Sequence, residues 1–332
     1  MRIITCAGFY RTGSSAISDF FSEFARCKSL GDYEFRFAQD PDGISDLEYN
    51  VCENPHRHNT SHAIKRFQKL SRFLNGSVGA PRYSRLFGDK YLEYTNEFIE
   101  DITQLKAKTW WHMDQIERGN TFYFFDRLYA KVTGVFDKNQ KNYSLLRNRE
   151  YGYYTAISKD DFYKAVRKYT GKLVSHVAGN AEFAMFDQLV PPTNVERYLN
   201  YFDDIKVICV ERDPRDLYVL EKERHRWGVI PYQDVREFCA WYRITRTQKP
   251  QEESERVMKI YFEDMIYKYE ETAQKLISFV GLNEEDHIYP KKFFIPEKSI
   301  RNTRVYEQYP QYASDVEFIE KELKEYLYTN KD

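Results

Sequence analysis

Residues 8–15 read GFYRTGSS: two glycines with four residues between them, Gly8 and Gly13, then Ser14 and Ser15. This is the glycine spacing of a phosphate-binding P-loop, with serine where that pattern carries lysine. The glycines let the backbone turn tightly, so that successive N–H groups and the start of the next helix converge on an anion. Thr12, Ser14 and Ser15 add hydroxyl donors, and Arg11 adds a planar cationic fork suited to paired phosphate or sulfate oxygens. Without the lysine, which reaches the outer phosphates of a triphosphate, nucleoside triphosphate hydrolysis loses support.

Outward from this loop the chain reads strand, glycine turn, helix: RIITC runs into Gly8, and Ile17, Phe20, Phe21 and Phe24 recur at helical spacing. A second unit pairs the strand IKVICVE with the helix RDPRDLYVLEKERH, where Asp213 is a plausible N-cap and Pro214 fits the first turn. A third pairs VMKIYFED with MIYKYEETAQKLISFVGL, stopped at Gly281. Alternation of this kind predicts a P-loop-type three-layer α/β/α fold with a central parallel sheet. Ligands of such sheets sit beyond the carboxyl ends of the strands, a rim that would gather the glycine loop, Arg212 and Asp264.

Between roughly residues 50 and 172 the text turns polar, aromatic and helix-like, as in SHAIKRFQKLSRFL and YLEYTNEFIEDITQLKAKTWWHM. The expectation is one domain, residues 1–332, carrying a helical insertion there, with a final amphipathic helix, VEFIEKELKEYLY.

Composition narrows the function. With 50 basic and 51 acidic residues there is no bulk field drawing the chain to nucleic acid or a membrane surface, so an anion site must be local and its ligand small. Five scattered cysteines lack metal or redox spacing and read as reduced core thiols. No apolar run approaches the roughly 20 residues of a membrane span, and the first strand leaves no room for a signal peptide; a cytoplasmic location is expected.

RTGSS after a short first strand resembles the loop with which sulfotransferases grip the 5′-phosphosulfate of 3′-phosphoadenosine 5′-phosphosulfate (PAPS), most closely in the carbohydrate sulfotransferases. CVERDPRDLYVLE, residues 209–221, is similar to the family's strand-to-helix element binding the 3′-phosphate, and YFEDM with its helix ending FVGL resembles a late structural element. The resemblance implies PAPS as cofactor without a metal, Arg11, Thr12, Gly13, Ser14 and Ser15 as the leaving-group cradle, and Arg212 as 3′-phosphate ligand, with Arg215 a weaker one. Lys298 and Arg301, in FFIPEKSIRNTRVY, resemble a basic loop closing over the nucleotide. Many relatives have lysine at the position of Arg11; arginine does not give up its proton, so its role is electrostatic. Where relatives carry a serine eight residues after the first arginine of the second element, this chain has Leu220.

A general base must take the acceptor's proton. Glu34, in GDYEFRF, resembles the glutamate of heparan-type enzymes, and His176, in KLVSHVAGN, the histidine of cytosolic ones. Arg36 could steady Glu34, and FDQLVPPTN, residues 186–194, is a candidate substrate-side loop. The expected reaction is sulfuryl transfer to a hydroxyl acceptor, a glycan or other small molecule. The rivals are a P-loop kinase-like phosphotransferase and a nucleotide-binding protein without turnover.

Overall fold

A computed structural model describes residues 1–136, 143–226, 228–250 and 252–329. Two compact units emerge: residues 1–39 with 174–332, and residues 40–173.

Among the described residues, the first unit is built on a parallel sheet of five strands: β1 (Arg2–Gly8), β2 (Cys27–Glu34), β3 (Phe183–Asp187), β4 (Ile205–Glu211) and β5 (Val257–Tyr261), in the order β2-β3-β1-β4-β5. Register sets the faces. Ile4 pairs with Met185, Cys6 with Ile208 and Ile208 with Met258, so these side chains share one face. They join Ile17, Phe20 and Phe21 of α1 (Ser14–Phe21) and Leu276 and Ile277 of the helix Tyr269–Val280 in one cluster. Full burial of each such side chain contributes roughly 1.5–3 kcal/mol. On the other face Thr5, Ala184, Val207 and Val257 are equally buried, so the sheet is covered on both sides, as its continuous apolar strands require.

The second unit has α2 (Arg57–Asn75), α3 (Lys90–Ile102), α4 (Gly119–Phe136) and most of α5 (Lys159–Ala178). The helical reading of YLEYTNEFIEDITQLKA stops short: α3 ends at Ile102, and Leu105–Ala107 is a strand paired antiparallel with Gly152–Tyr154. Thr103 Oγ1 donates to the carbonyl of Ile99 at the helix end, and the Gln104 N–H goes to the carbonyl of Tyr154. The pairing partner lies some 50 residues away, beyond the reach of a local periodicity.

Back in the first unit, α6 (Pro214–Leu220) starts as its sequence says, with Asp213 accepting from the Arg215 N–H and Pro214 in the first turn. It packs with α7 (Val235–Thr247) and with α8 (Ala313–Glu322), in a cluster that also holds Leu220 and Val305.

Candidate functional site: a cleft at the carboxyl ends of the strands

At the end of β1 the chain cannot continue straight. Tyr10 (φ 65°) and Arg11 (φ 52°) sit in the left-handed region, and Gly13 (φ 99°) begins α1. A Cβ on Gly13 would lie 2.4 Å from the Phe262 ring, and one on Gly8 would lie 2.6 Å from Thr12 Oγ1. Both glycines are therefore fixed by close approach. Thr12 Oγ1 accepts from the Phe9 N–H at 3.2 Å, closing the turn, and is thereby an internal brace, only 1% exposed.

Behind the loop lies Asp187, the last residue of β3. Cys6 donates its thiol to Asp187 Oδ1 at 2.9 Å, and Ser14 Oγ is 3.5 Å from Oδ2. Burial, and then the adjacent carboxylate, hold the Cys6 thiol well above its usual pKa, so it is a neutral donor and no nucleophile.

Glu34 reaches the same place by a local irregularity. β2 pairs with β3 through Ser29, loses register, and pairs again at Glu34 opposite Asp187. The Phe35 N–H then bonds the Asp187 carbonyl at 2.9 Å, and its ring meets Phe186 edge-on at 4.9 Å. Glu34 stays half-exposed, 3.4 Å from Arg36 Nη1.

These pieces line one cleft of about 550 Å³: Arg11, Ser14, Glu34, Arg36, Gln188 and Trp241 contribute side chains to it. Pro191, Pro192 and Thr193 complete a wall, so FDQLVPPTN is part of the cleft. Arg11 is anchored below by an ion pair, Nε to Glu221 Oε2 at 2.9 Å, with Glu221 wholly buried. The contact is not aligned as a hydrogen bond.

Arg212 is delivered to the rim by β4 but turned inward, 7% exposed. It donates to the carbonyl of Arg11 at 2.9 Å and to the carbonyl of Asn302, lies over the Phe262 ring at 4.8 Å, and keeps Nε unpartnered. Desolvation lowers its pKa and raises that of neighbouring Glu263 to about 8. Arg212 thus ties the glycine loop to the late loop, whose Lys298 and Arg301 are exposed on a short helix (Pro296–Ser299) and the turn after it. Arg215 is instead committed to Asp213 and Glu320, at 2.6 and 2.7 Å.

Two expectations are displaced. His176 is exposed in the last turn of α5, which feeds β3 at its amino end, the edge opposite the cleft. Leu220 is 3% exposed in the α6–α7 cluster, so its position faces the core.

Sequence reading missed Glu221 and Trp241, and reached Gln188 only as part of the FDQLVPPTN loop. Glu221 carried a signal, an acid directly after the apolar run LYVL of α6; Trp241 carried none, because its helix is remote from every motif. Among the described residues no group of His, Cys, Asp and Glu side chains could hold a metal ion.

The sequence matches the model of a family described as "Sulfotransferase family" over residues 4–286. No curated protein matches the chain. Two solved structures to which it is similar are the sulfotransferase STF9 from Mycobacterium avium and retinol dehydratase in complex with androsterone and the inactive cofactor PAP. The first is 13% identical, with 96% of this chain and 76% of that one covered and a TM-score of 0.36. The second is 11% identical, with 100% and 83% covered and a TM-score of 0.35.

Proposed function

Because this chain belongs to the sulfotransferase family, we propose that its cleft takes PAPS and a small hydroxyl acceptor of the carbohydrate class. The observation that carries this is the meeting of Arg11, Ser14 and Glu34 in one cleft at the ends of β1 and β2.

The residues fit the cofactor. The loop is closed to a Cβ at Gly8 and Gly13, as a backbone cradle for an anion must be, and the buried Nε of Arg212 is an orphaned donor beside it. When bound, PAPS supplies an activated sulfuryl group. Arg11, Gly13, Ser14 and Ser15 would hold its 5′ end, with buried Thr12 bracing the turn instead of donating its hydroxyl, and Arg212, Lys298 and Arg301 its 3′-phosphate.

Arg11 would neutralise negative charge growing on the leaving phosphate, acting as a fixed cation positioned by Glu221. Glu34 would accept the proton of the acceptor hydroxyl, and Arg36 would orient its carboxylate. His176, at the opposite edge, has no part in this scheme. The cysteine thiols, none of them in a disulfide, support a reducing compartment, and on this reading the enzyme works in the cytoplasm.

Calorimetric titration with adenosine 3′,5′-bisphosphate tests the reading. The native protein should release heat with one-to-one stoichiometry, and Arg212→Ala should bind at least about tenfold more weakly, as loss of a charged hydrogen bond implies. No heat with the native protein would remove the cofactor assignment.

A further inference from the structure

The second unit carries an apolar surface that its own packing leaves uncovered. Helix α4 (Gly119–Phe136) faces inward along a narrow stripe, Phe122, Asp126, Ala130 and Thr133, while most other positions are exposed. Asp126, the one acid of the helix, is spent in that stripe: it accepts from Ser144 Oγ at 2.9 Å, the Leu145 N–H at 2.5 Å, and Gln115 Nε2. Phe124, Phe125, Leu128, Val132, Val135 and Phe136 all point outward, with Phe124 65%, Val135 76% and Phe136 86% exposed. At about 100° per residue they form one arc of roughly 120°, opposite the packed stripe.

Exposed aromatic and aliphatic side chains in a contiguous arc mark an interaction surface. The charges beside it say of what kind. Arg127 and Lys131 flank one edge, both exposed. At the helix's end a second cleft, about 580 Å³, is lined by Tyr129, Phe136, Tyr143, Arg147 and Arg149 among others, with the Arg147 guanidinium over the Tyr143 ring at 3.9 Å. Among the described residues, acids on the segments flanking α4 are already paired: Asp114 with Lys65 at 2.6 Å, Glu117 with His62 at 3.2 Å, and Glu150 with Arg118 and, at 3.6 Å, Lys65.

From this arrangement we infer that α4 docks on an anionic phospholipid surface, lying in the headgroup plane with its arc among the acyl chains and its cations on the phosphates. An outward apolar arc with a basic flank is the pattern of an interfacial helix. A second copy of the chain fits less well, because a two-fold interface through this arc would set Arg127 and Lys131 near their own counterparts with no exposed acid of the helix to meet them. The helix lies on the bilayer and does not cross it; among the described residues no helix is long and apolar enough to span.

The test is sedimentation of the full chain with vesicles of phosphatidylcholine alone and of phosphatidylcholine with about one third phosphatidylglycerol. The native protein should partition onto the anionic vesicles and come off in high salt. Arg127→Gln with Lys131→Gln should weaken partitioning on the order of 30-fold, at about fivefold per cation. Phe124→Ser with Val135→Ser should weaken it at least about tenfold. Both double variants change exposed side chains only, and unchanged melting curves and nucleotide heats would show that they fold. The proposal is overturned if the native protein ignores anionic vesicles, or if it binds neutral ones equally and neither pair of changes matters. It is also overturned if light scattering shows a dimer that Phe124→Ser with Val135→Ser dissolves while vesicle binding is absent.

Discussion

At the scale of single residues, two carboxyl groups of the first unit sit in contrasting surroundings, Glu34 open to the cleft and Glu263 buried. Glu34 is half-exposed and lies 3.4 Å from the Arg36 guanidinium. Glu34→Gln should lower turnover by at least about 100-fold, the worth of a general base, while leaving the heat of adenosine 3′,5′-bisphosphate binding unchanged; retained turnover would remove Glu34 from the chemistry. Glu263, deeper in, is the opposite case. Burial raises its pKa from 4.5 to about 8, against which a hydrogen bond from the Asp213 N–H and the nearby Arg212 charge act only partly. A carboxyl raised in the folded state binds more protons there than when unfolded. Its stabilising contribution is therefore complete below about pH 4.5 and is lost as pH rises through 8. Glu263→Gln should flatten that decline, and melting temperatures measured from pH 5 to 9 should converge at the acid end and separate by about 5 °C at the alkaline end.

At the scale of elements, the late loop is held by two buried side chains, Arg212 in the β4–α6 connection and Asp216 in the first turn of α6. Arg212 takes the carbonyl of Asn302, and Asp216 accepts from the N–H groups of Arg304, Val305 and Tyr306 at 2.8, 2.5 and 3.3 Å. The loop that carries Lys298 and Arg301 is therefore set by the same short segment that supplies Arg212. Asp216→Ala would leave three donors without their acceptor and cost about 2–3 kcal/mol. Hydrogen exchange should accelerate at residues 304–306, and the affinity for adenosine 3′,5′-bisphosphate should fall together with it. Faster exchange with unchanged affinity would show that the late loop is no part of the nucleotide site.

At the scale of the whole molecule, every residue assigned to the cleft belongs to the unit of residues 1–39 and 174–332. Saturating adenosine 3′,5′-bisphosphate stabilises only what it binds, by about 2.7 kcal/mol at 100 times its dissociation constant. Amide exchange should therefore slow at residues 8–16, 187–193 and 211–221 and stay unchanged across residues 44–136. Protection concentrated in the latter span would move the site to the other unit.

What sequence alone determined is the local part. The apolar runs of β1 and β4, the glycines of GFYRTGSS, the Asp213–Pro214 cap and the stop at Gly281 each follow from the conformational limits of a few adjacent residues, and they identify a parallel α/β fold with a tight glycine turn at one rim. Tertiary structure alone decided who meets whom there. It turned Arg212 inward onto two carbonyls, put buried Glu221 beneath Arg11, brought Gln188 and Trp241 to the cleft, sent His176 to the far edge, and bared the outer face of α4. The reason is that a helix or strand signal depends on neighbours in the chain, whereas these placements depend on strand order and register, which join residues up to about 200 positions apart and leave no mark on local periodicity.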